Sequence, residues 1–193
     1  MNSEVEICNA ALSLIGQNVL VTLLNPATEQ GKQCALWYPS IRDELLREHT
    51  WNFAEKRAIL AELVDTPPFE FTKYFQLPAD YIKSIRLYNN DSTFRIEGNR
   101  IATSATGCNL IYTAQVTDPT LFDEGFKKAL YMTLAARLCK KVNGNNNLTI
   151  QRSEEAKEAL FKAKQADSQE GTPIKIRTRN NVHRSRIGPF RRF

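Results

Sequence analysis

Several common chemical signatures are missing from this 193-residue chain. Its four cysteines, Cys8, Cys34, Cys108 and Cys139, stand far apart with no C-x-x-C pair, and there are only two histidines, His49 and His183. That spacing argues against a zinc site or a disulfide framework and for reduced, mostly buried thiols. Two histidines leave little room for a histidine-built metal or catalytic centre. No run approaches the roughly 18 apolar residues of a membrane span, and the opening MNSEVEIC is polar and acidic rather than basic then apolar. A cytoplasmic site of synthesis and no membrane partner are therefore expected. The chain has no G-x-x-x-x-G-K-[ST], no G-x-G-x-x-G after a strand, and no G-x-S-x-G elbow. No cofactor or metal is expected, and no internal repeat is visible.

What is present is enough for a folded body. Hydrophobic residues make up 42% of the chain, sufficient for a core, and charged residues 24%, an ordinary globular share. The length suits one domain with a tail. The formal net charge of +5 is unevenly spread. Residues 172–193 hold seven basic groups and no acid, leaving 19 basic against 21 acidic groups in residues 1–171. The body is nearly neutral and the last segment is a basic arm, unlike the uniformly basic surface of a nucleic-acid-binding domain.

Local patterns predict the element order. Ser3 and Glu6 have the spacing of a capping box, and Val5, Cys8, Leu12 and Ile15 recur at helical spacing up to a stop at Gly16. Asn25-Pro26 reads as the start of a second helix, with Cys34, Trp37, Tyr38, Ile41 and Leu45 as its stripe and a kink or break at Pro39. The segment Thr50–Ala54 ends that helix. Ala54–Leu63 and Tyr81–Tyr88 are each open between strand and helix, while Tyr74–Pro78 reads as extended. Residues 84–116 predict one small antiparallel sheet. In it, Phe94–Glu97 and Arg100–Thr103 are joined by a Gly98-Asn99 hairpin. The longest strand runs over Asn109–Val116, with Leu110, Tyr112, Ala114 and Val116 on one face. Two helices follow, from about Leu121 to Val142 with the stripe Phe122, Phe126, Leu130, Leu134 and Leu138, and from about Leu148 to Gln169 with Ala156, Ala159, Leu160 and Ala163 inward. The expectation is an α+β fold: a helical bundle (1–50 and 121–171) with a β-rich insert (51–120) and an extended basic C-terminal arm (172–193).

Candidate chemistry is sparse. Asp43 and Glu44 are adjacent and so do not share a helix face. Glu154, Glu155 and Glu158 sit beside Arg152 and Lys157 on a predicted helix, the pattern of a solvated, charge-balanced face. His49 could serve as a general base, but a surface or helix-end role fits it better. Trp37, Trp51 and Phe53 could anchor a partner; core packing is the expected role, with Trp51 and Phe53 where the second helix meets the insert. No catalytic, cofactor or metal residues are assigned, and an enzyme is not expected.

The arm alone resists a bland reading. It has no acids and few large aliphatic residues, and cannot bury enough apolar surface to offset its chain entropy. Its cations Lys175, Arg177, Arg179, Arg184, Arg186, Arg191 and Arg192 are interleaved with Ile174, Ile176, Val182, Ile187, Phe190 and Phe193. A purely phosphate-binding arm needs no such apolar residues, so a protein cleft with acidic residues is favoured over nucleic acid as its partner.

Three segments then resemble a known family. They are Cys8-Asn9-Ala10-Ala11-Leu12-Ser13-Leu14-Ile15-Gly16 with Arg42-Asp43-Glu44-Leu45-Leu46 and Trp51-Asn52-Phe53-Ala54; Leu77-Pro78-Ala79-Asp80-Tyr81 with Phe94-Arg95-Ile96-Glu97-Gly98; and Val116-Thr117-Asp118-Pro119 with Phe122-Asp123, Phe126 and Ala129–Leu138. In this order, over residues 4–140, the chain resembles the head–tail adaptor (connector) proteins of short-tailed bacteriophages, the tail tubular protein A type. The resemblance implies a structural virion protein that forms a ring, normally of twelve copies, between the portal protein and the tail nozzle protein. DNA passes through its central channel without specific binding. It also implies that the C-terminal segment reaches the portal, which makes Lys175, Arg177, Arg179, Arg184, Arg186, Phe190, Arg191, Arg192 and Phe193 a portal-binding arm. In this picture helices pack subunit to subunit and the insert faces the tail. The alternatives are a nucleic-acid-binding protein that uses the arm, and a tail-associated polysaccharide hydrolase.

Overall fold

A computed structural model of the chain describes residues 1–18, 28–88, 93–142 and 146–170. It is α+β, with helices α1 (Glu4–Leu14), α2 (Glu29–Glu48), α3 (Glu124–Val142) and α4 (Asn146–Gln169). Between α2 and α3 lie strands β1 (Glu55–Ile59), β2 (Lys73–Gln76), β3 (Tyr81–Leu87), β4 (Phe94–Glu97), β5 (Arg100–Thr103) and β6 (Asn109–Ala114). The arm, residues 172–193, and the loop over 89–92 lie outside the described residues.

Local chemistry sets several of the helix ends. At α1, the Ser3 hydroxyl accepts the Glu6 N–H at 3.2 Å. The reciprocal bond differs from a simple capping box, because Glu6 takes the N–H of Asn2 at 2.7 Å instead of that of Ser3. At its other end Gly16 has φ +70°, and the N–H groups of Gly16 and Gln17 return to the carbonyls of Ser13 and Leu12. Only a left-handed residue closes this motif without strain, which is why glycine stands there.

Helix α2 departs from expectation at its start. Asn25 and Pro26 lie outside the described residues, and the helix is capped by Thr28, whose hydroxyl accepts the Gly31 N–H at 3.2 Å. Nor is the helix broken at Pro39, which lies inside the single element Glu29–Glu48. Proline removes one ladder hydrogen bond; Tyr38 and Ile41, buried on either side of it, keep both halves of the helix on the same core.

Helix α3 starts later than the sequence predicts. A 3-10 turn, Pro119–Leu121, comes first, and the Asp123 carboxylate then accepts the N–H groups of Gly125 (2.6 Å) and Phe126 (3.3 Å). Its predicted stripe of Phe122, Phe126, Leu130, Leu134 and Leu138 is buried in full. It shares one core with Ile7, Leu12, Tyr38, Ile41, Leu46 and Trp51 of the first half of the chain. The small residues of α4, Ala156, Ala159 and Ala163, are buried against α3. At Gly125 the two helices approach closely: a side chain there would begin 3.2 Å from Ala163 Cβ, 3.3 Å from its Cα and 2.9 Å from Asp123 Oδ2.

The β-rich part forms two antiparallel sheets where one was expected, ordered β1-β6-β3 and β2-β5-β4. Alternation explains the division. Phe75, Ile101 and Ile96 are cross-strand neighbours in the second sheet, and their apolar row needs a cover. Leu110, Tyr112 and Ala114 of β6 supply it from the first sheet, so the two sheets close a small core of their own. Val116, expected on that β6 face, lies past the end of the strand and joins the helical core. The hairpin at Gly98-Asn99 forms as predicted, with Gly98 at φ +63°. Ala54–Leu63 contains the strand Glu55–Ile59 and Tyr81–Tyr88 the strand Tyr81–Leu87, which carries two β-bulges, at Tyr81/Lys83 and Ser84/Arg86.

A half-buried polar cluster ties the strands of the first sheet together. The Tyr112 hydroxyl donates to Asp80 Oδ1 at 2.9 Å and Lys56 Nζ donates to Oδ2 at 2.7 Å. Burial alone would raise the Asp80 carboxyl, but these two bonds hold it below the usual range. Burial, with the Asp80 carboxylate as second cause, pushes the Tyr112 hydroxyl up to about 12. All four cysteines are buried free thiols, as expected.

Two predictions follow from this packing. Gly125→Leu forces α4 away from α3 and lowers stability by about 1–3 kcal/mol, read from chemical denaturation. The neutral Tyr112 is favoured by the fold, so its contribution is complete below pH 10, the ordinary tyrosine value, and is lost as pH climbs towards about 12. Denaturation midpoints measured from pH 8 to 12 fall over that window, and fall less steeply in Tyr112→Phe.

Candidate functional site

The nine arm residues proposed to bind a partner, Lys175 to Phe193, lie outside the described residues. The other singled-out residues are placed. Asp43 is held by Arg42 Nε at 2.8 Å and Gln115 Nε2 at 2.7 Å, while Glu44 lies 3.7 Å from Arg137. The adjacent carboxylates are thus engaged by different partners. Glu155 accepts from Arg152 at 2.6 Å and Glu158 from Lys162 at 2.6 Å, and these bonds hold both carboxyls below their ordinary range. The face is a charge-balanced one. Trp51 is fully buried, whereas Phe53 and Trp37 are half-buried. Arg137 lies 5.2 Å from the Trp37 ring centre.

His49 has a defined place. It is the residue after the last turn of α2, and its Nε2 lies 3.0 Å from Oδ2 of Asp167, a buried carboxylate near the end of α4. The other oxygen, Oδ1, accepts the backbone N–H of Asn52 at 3.0 Å, and the Asp167 carbonyl accepts Asn52 Nδ2 at 2.7 Å. The His49 ring meets Trp51 edge-on with centres 4.9 Å apart. Trp51 in turn packs edge-on against Phe126 at 5.0 Å and donates its indole N–H to the Leu45 carbonyl at 2.8 Å, satisfying one of the last carbonyls of α2. A carboxylate whose two oxygens are both engaged in this way is built to hold elements together. Sequence reasoning missed Asp167 and Asn52. The signal was available: Asp167 is the next inward position of the stripe Ala156, Ala159, Ala163, four residues on.

The outer faces of the sandwich carry the remaining features. Register puts Arg57, Ile111 and Arg86 in one cross-strand row, on the face of the first sheet turned away from the sandwich core. Ile59 and Asn109 form the next row. The bulge between Ser84 and Arg86 brings Arg86 into register with Ile111. With Tyr88, these side chains line an open recess of about 480 Å³. Arg57 has a carboxylate neighbour in Glu55 at 3.3 Å, and Arg86 lies 5.8 Å from the Tyr88 ring centre.

Residues 60–72 cross from β1 to β2, and 61–63 run along the edge of β2, where Glu62 pairs with Phe75 and the Gln76 N–H donates to the Ala61 carbonyl at 3.0 Å. There Leu63 and Phe71 pack on Tyr74 and Ala102. Asp65 and Glu70 each stand 3.7 Å from an arginine, Arg100 and Arg95 respectively. Glu70 has φ +69°.

Compared with known proteins, the chain matches no protein-family model and no curated protein sequence. Among the described residues, no helix is long and apolar enough to cross a membrane. The described geometry therefore offers two kinds of feature: an internal joint at Asp167 and two contrasting outer faces on the sandwich.

Asp167→Ala removes the carboxylate from His49 and from the Asn52 backbone N–H and lowers stability by about 2–3 kcal/mol in denaturant unfolding. A double-mutant cycle with His49→Ala returns a coupling of at least about 0.5 kcal/mol, as expected for groups in direct contact.

Proposed function

We propose that this chain is a structural protein of a short-tailed phage virion: a head-to-tail adaptor that forms a ring between portal and tail nozzle and leaves a channel for DNA. The observation that carries the reading is the order of the three sequence segments over residues 4–140, together with an architecture of the kind they imply: helices, β insert, helices. The near-neutral body suits a channel through which DNA must slide, since a strongly cationic lumen would grip the phosphates. The role is that of a scaffold: Asp167, His49 and Asn52 are occupied with one another, as a load-carrying joint requires.

The basic arm is the portal-docking element in this reading. Its ordering on the partner costs entropy, and repetition around a ring multiplies weak contacts into stable attachment. A second reading, nucleic-acid binding through the arm, draws on the same seven cations.

Mixing the full-length chain with purified portal protein separates the two. Electron microscopy is expected to show rings seated on the portal, and deletion of residues 172–193 to abolish them. Undiminished portal binding without the arm defeats the docking assignment. Salt-dependent binding of duplex DNA that disappears with the arm, in the absence of any portal complex, favours the second reading.

A further inference from the structure

The fold brings together two of the four cysteines that the sequence keeps far apart. We propose that Cys8 of α1 and Cys34 of α2 form a modification site: with hydrogen peroxide as oxidant they close a disulfide inside the folded chain and strap α1 to α2. The bond needs no ring, portal or second copy.

Pairings between the two helices descend α1 as they climb α2. Just beyond the end of α1, Gln30 Nε2 donates to Gln17 Oε1 at 3.2 Å. Further along, the side chains of Cys8 and Cys34 are hydrogen-bonded to each other. One turn on, the charge of Glu4 is felt at the Tyr38 hydroxyl. Cys8 and Cys34 thus face each other from the inner sides of both helices, in the same core as Ile7, Leu12 and Tyr38. Both are fully buried and free. Thiols in hydrogen-bond contact have converging side chains, the arrangement a disulfide requires.

The pair is asymmetric. As donor, the Cys8 thiol is held above its ordinary value, chiefly by the bond to Cys34 and then by burial. As acceptor, Cys34 is held below its ordinary value by the same bond, against the effect of burial. The thiolate is the nucleophile in cysteine chemistry, so Cys34 attacks first and Cys8 resolves. Cys108 has no such help: it sits in the sandwich core, where burial raises its thiol to about 11.

Burial also selects the oxidant. Hydrogen peroxide is neutral and little larger than water, and a local opening of the short helix α1 admits it, whereas bulky or charged oxidants need far more. The Cys34 thiolate attacks one peroxide oxygen, breaks the O–O bond and becomes a sulfenic acid, and the hydroxide released takes up the proton that Cys34 lost. Cys8 sulfur then attacks the sulfenic sulfur. The S–S bond forms, the S–O bond breaks, and the hydroxyl leaves with the Cys8 proton as water. Two thiols are oxidised and one peroxide is reduced to two waters. The bond closes a loop over residues 9–33, which restricts the unfolded chain and stabilises the fold.

Peptide mapping of the full-length chain tests the site. Protein in native buffer is treated with hydrogen peroxide, blocked with N-ethylmaleimide in denaturant and cut with trypsin. Lys32 is the only tryptic point between Cys8 and Cys34, so the bond appears as residues 1–32 joined to residues 33–42. These joined peptides are expected to form at least about tenfold faster than any oxidation product of Cys108 or Cys139. The oxidised protein unfolds at a higher urea midpoint, and dithiothreitol returns it to the original value. In Cys8→Ala the joined peptides vanish and Cys34 advances to sulfinic acid instead. The map of the unmodified chain decides the matter even if that variant fails to fold. Absence of the joined peptides, an equally fast link to Cys108 or Cys139, a bond that appears only in denaturant, or a midpoint that does not rise overturns the assignment. Rings on the portal are scored without oxidant, so this site and the adaptor reading fail separately.

Discussion

The Asp167 carboxylate is the point on which the helical body closes. It sits near the end of α4, yet its partners, His49 and Asn52, lie more than a hundred residues earlier, where α2 gives way to the first strand. Burying a carboxylate is costly unless its lone pairs are met, and here both oxygens are engaged at 3.0 Å. The aromatic group of Trp51, Phe53, Phe122 and Phe126 packs beside this bond. A polar bond fixes the register and the rings supply the buried area. Together they tie the start of the β insert to both ends of the bundle.

The helices were largely legible because their signals are local. The α3 stripe from Phe122 to Leu138 reads directly as a buried face, and Gly16 as a stop, since spacing and a single φ value determine each. Of the kink or break expected at Pro39, the break does not occur, because the helix is buried on both sides of the proline. The sheets were less legible for a different reason. Strands such as Phe94–Glu97 are visible by alternation, but the division into two sheets depends on which apolar rows cover each other, a non-local matter. Bulges hid more: the extra residue at Ile85 places Arg86 in the row of Ile111 and Arg57, and no period-2 reading of β3 could anticipate that. The joint at Asp167 sat one step beyond the alanine stripe, where an acid reads naturally as surface.

The sandwich and the bundle divide the work of the fold. The bundle holds the large continuous core, while the sandwich has a small core of its own and more elaborate exteriors. Ties between them include Asn52 to Asp167, Arg47 to the Ile82 carbonyl at 2.7 Å and Gln115 to Asp43 at 2.7 Å, with Ile82 packed against the helical core. Surface variation on the β unit is thus largely decoupled from the packing that keeps the helices together.

The close seating of α4 on α3 at Gly125 reaches beyond stability. With Ala163 against a residue that has no side chain, and Asp167 fastened one turn later, the backbone at Glu170 is a fixed root. The 23 residues that follow can extend at most about 80 Å from it. That length bounds how far from the end of α4 any contact made by residues 171–193 can lie.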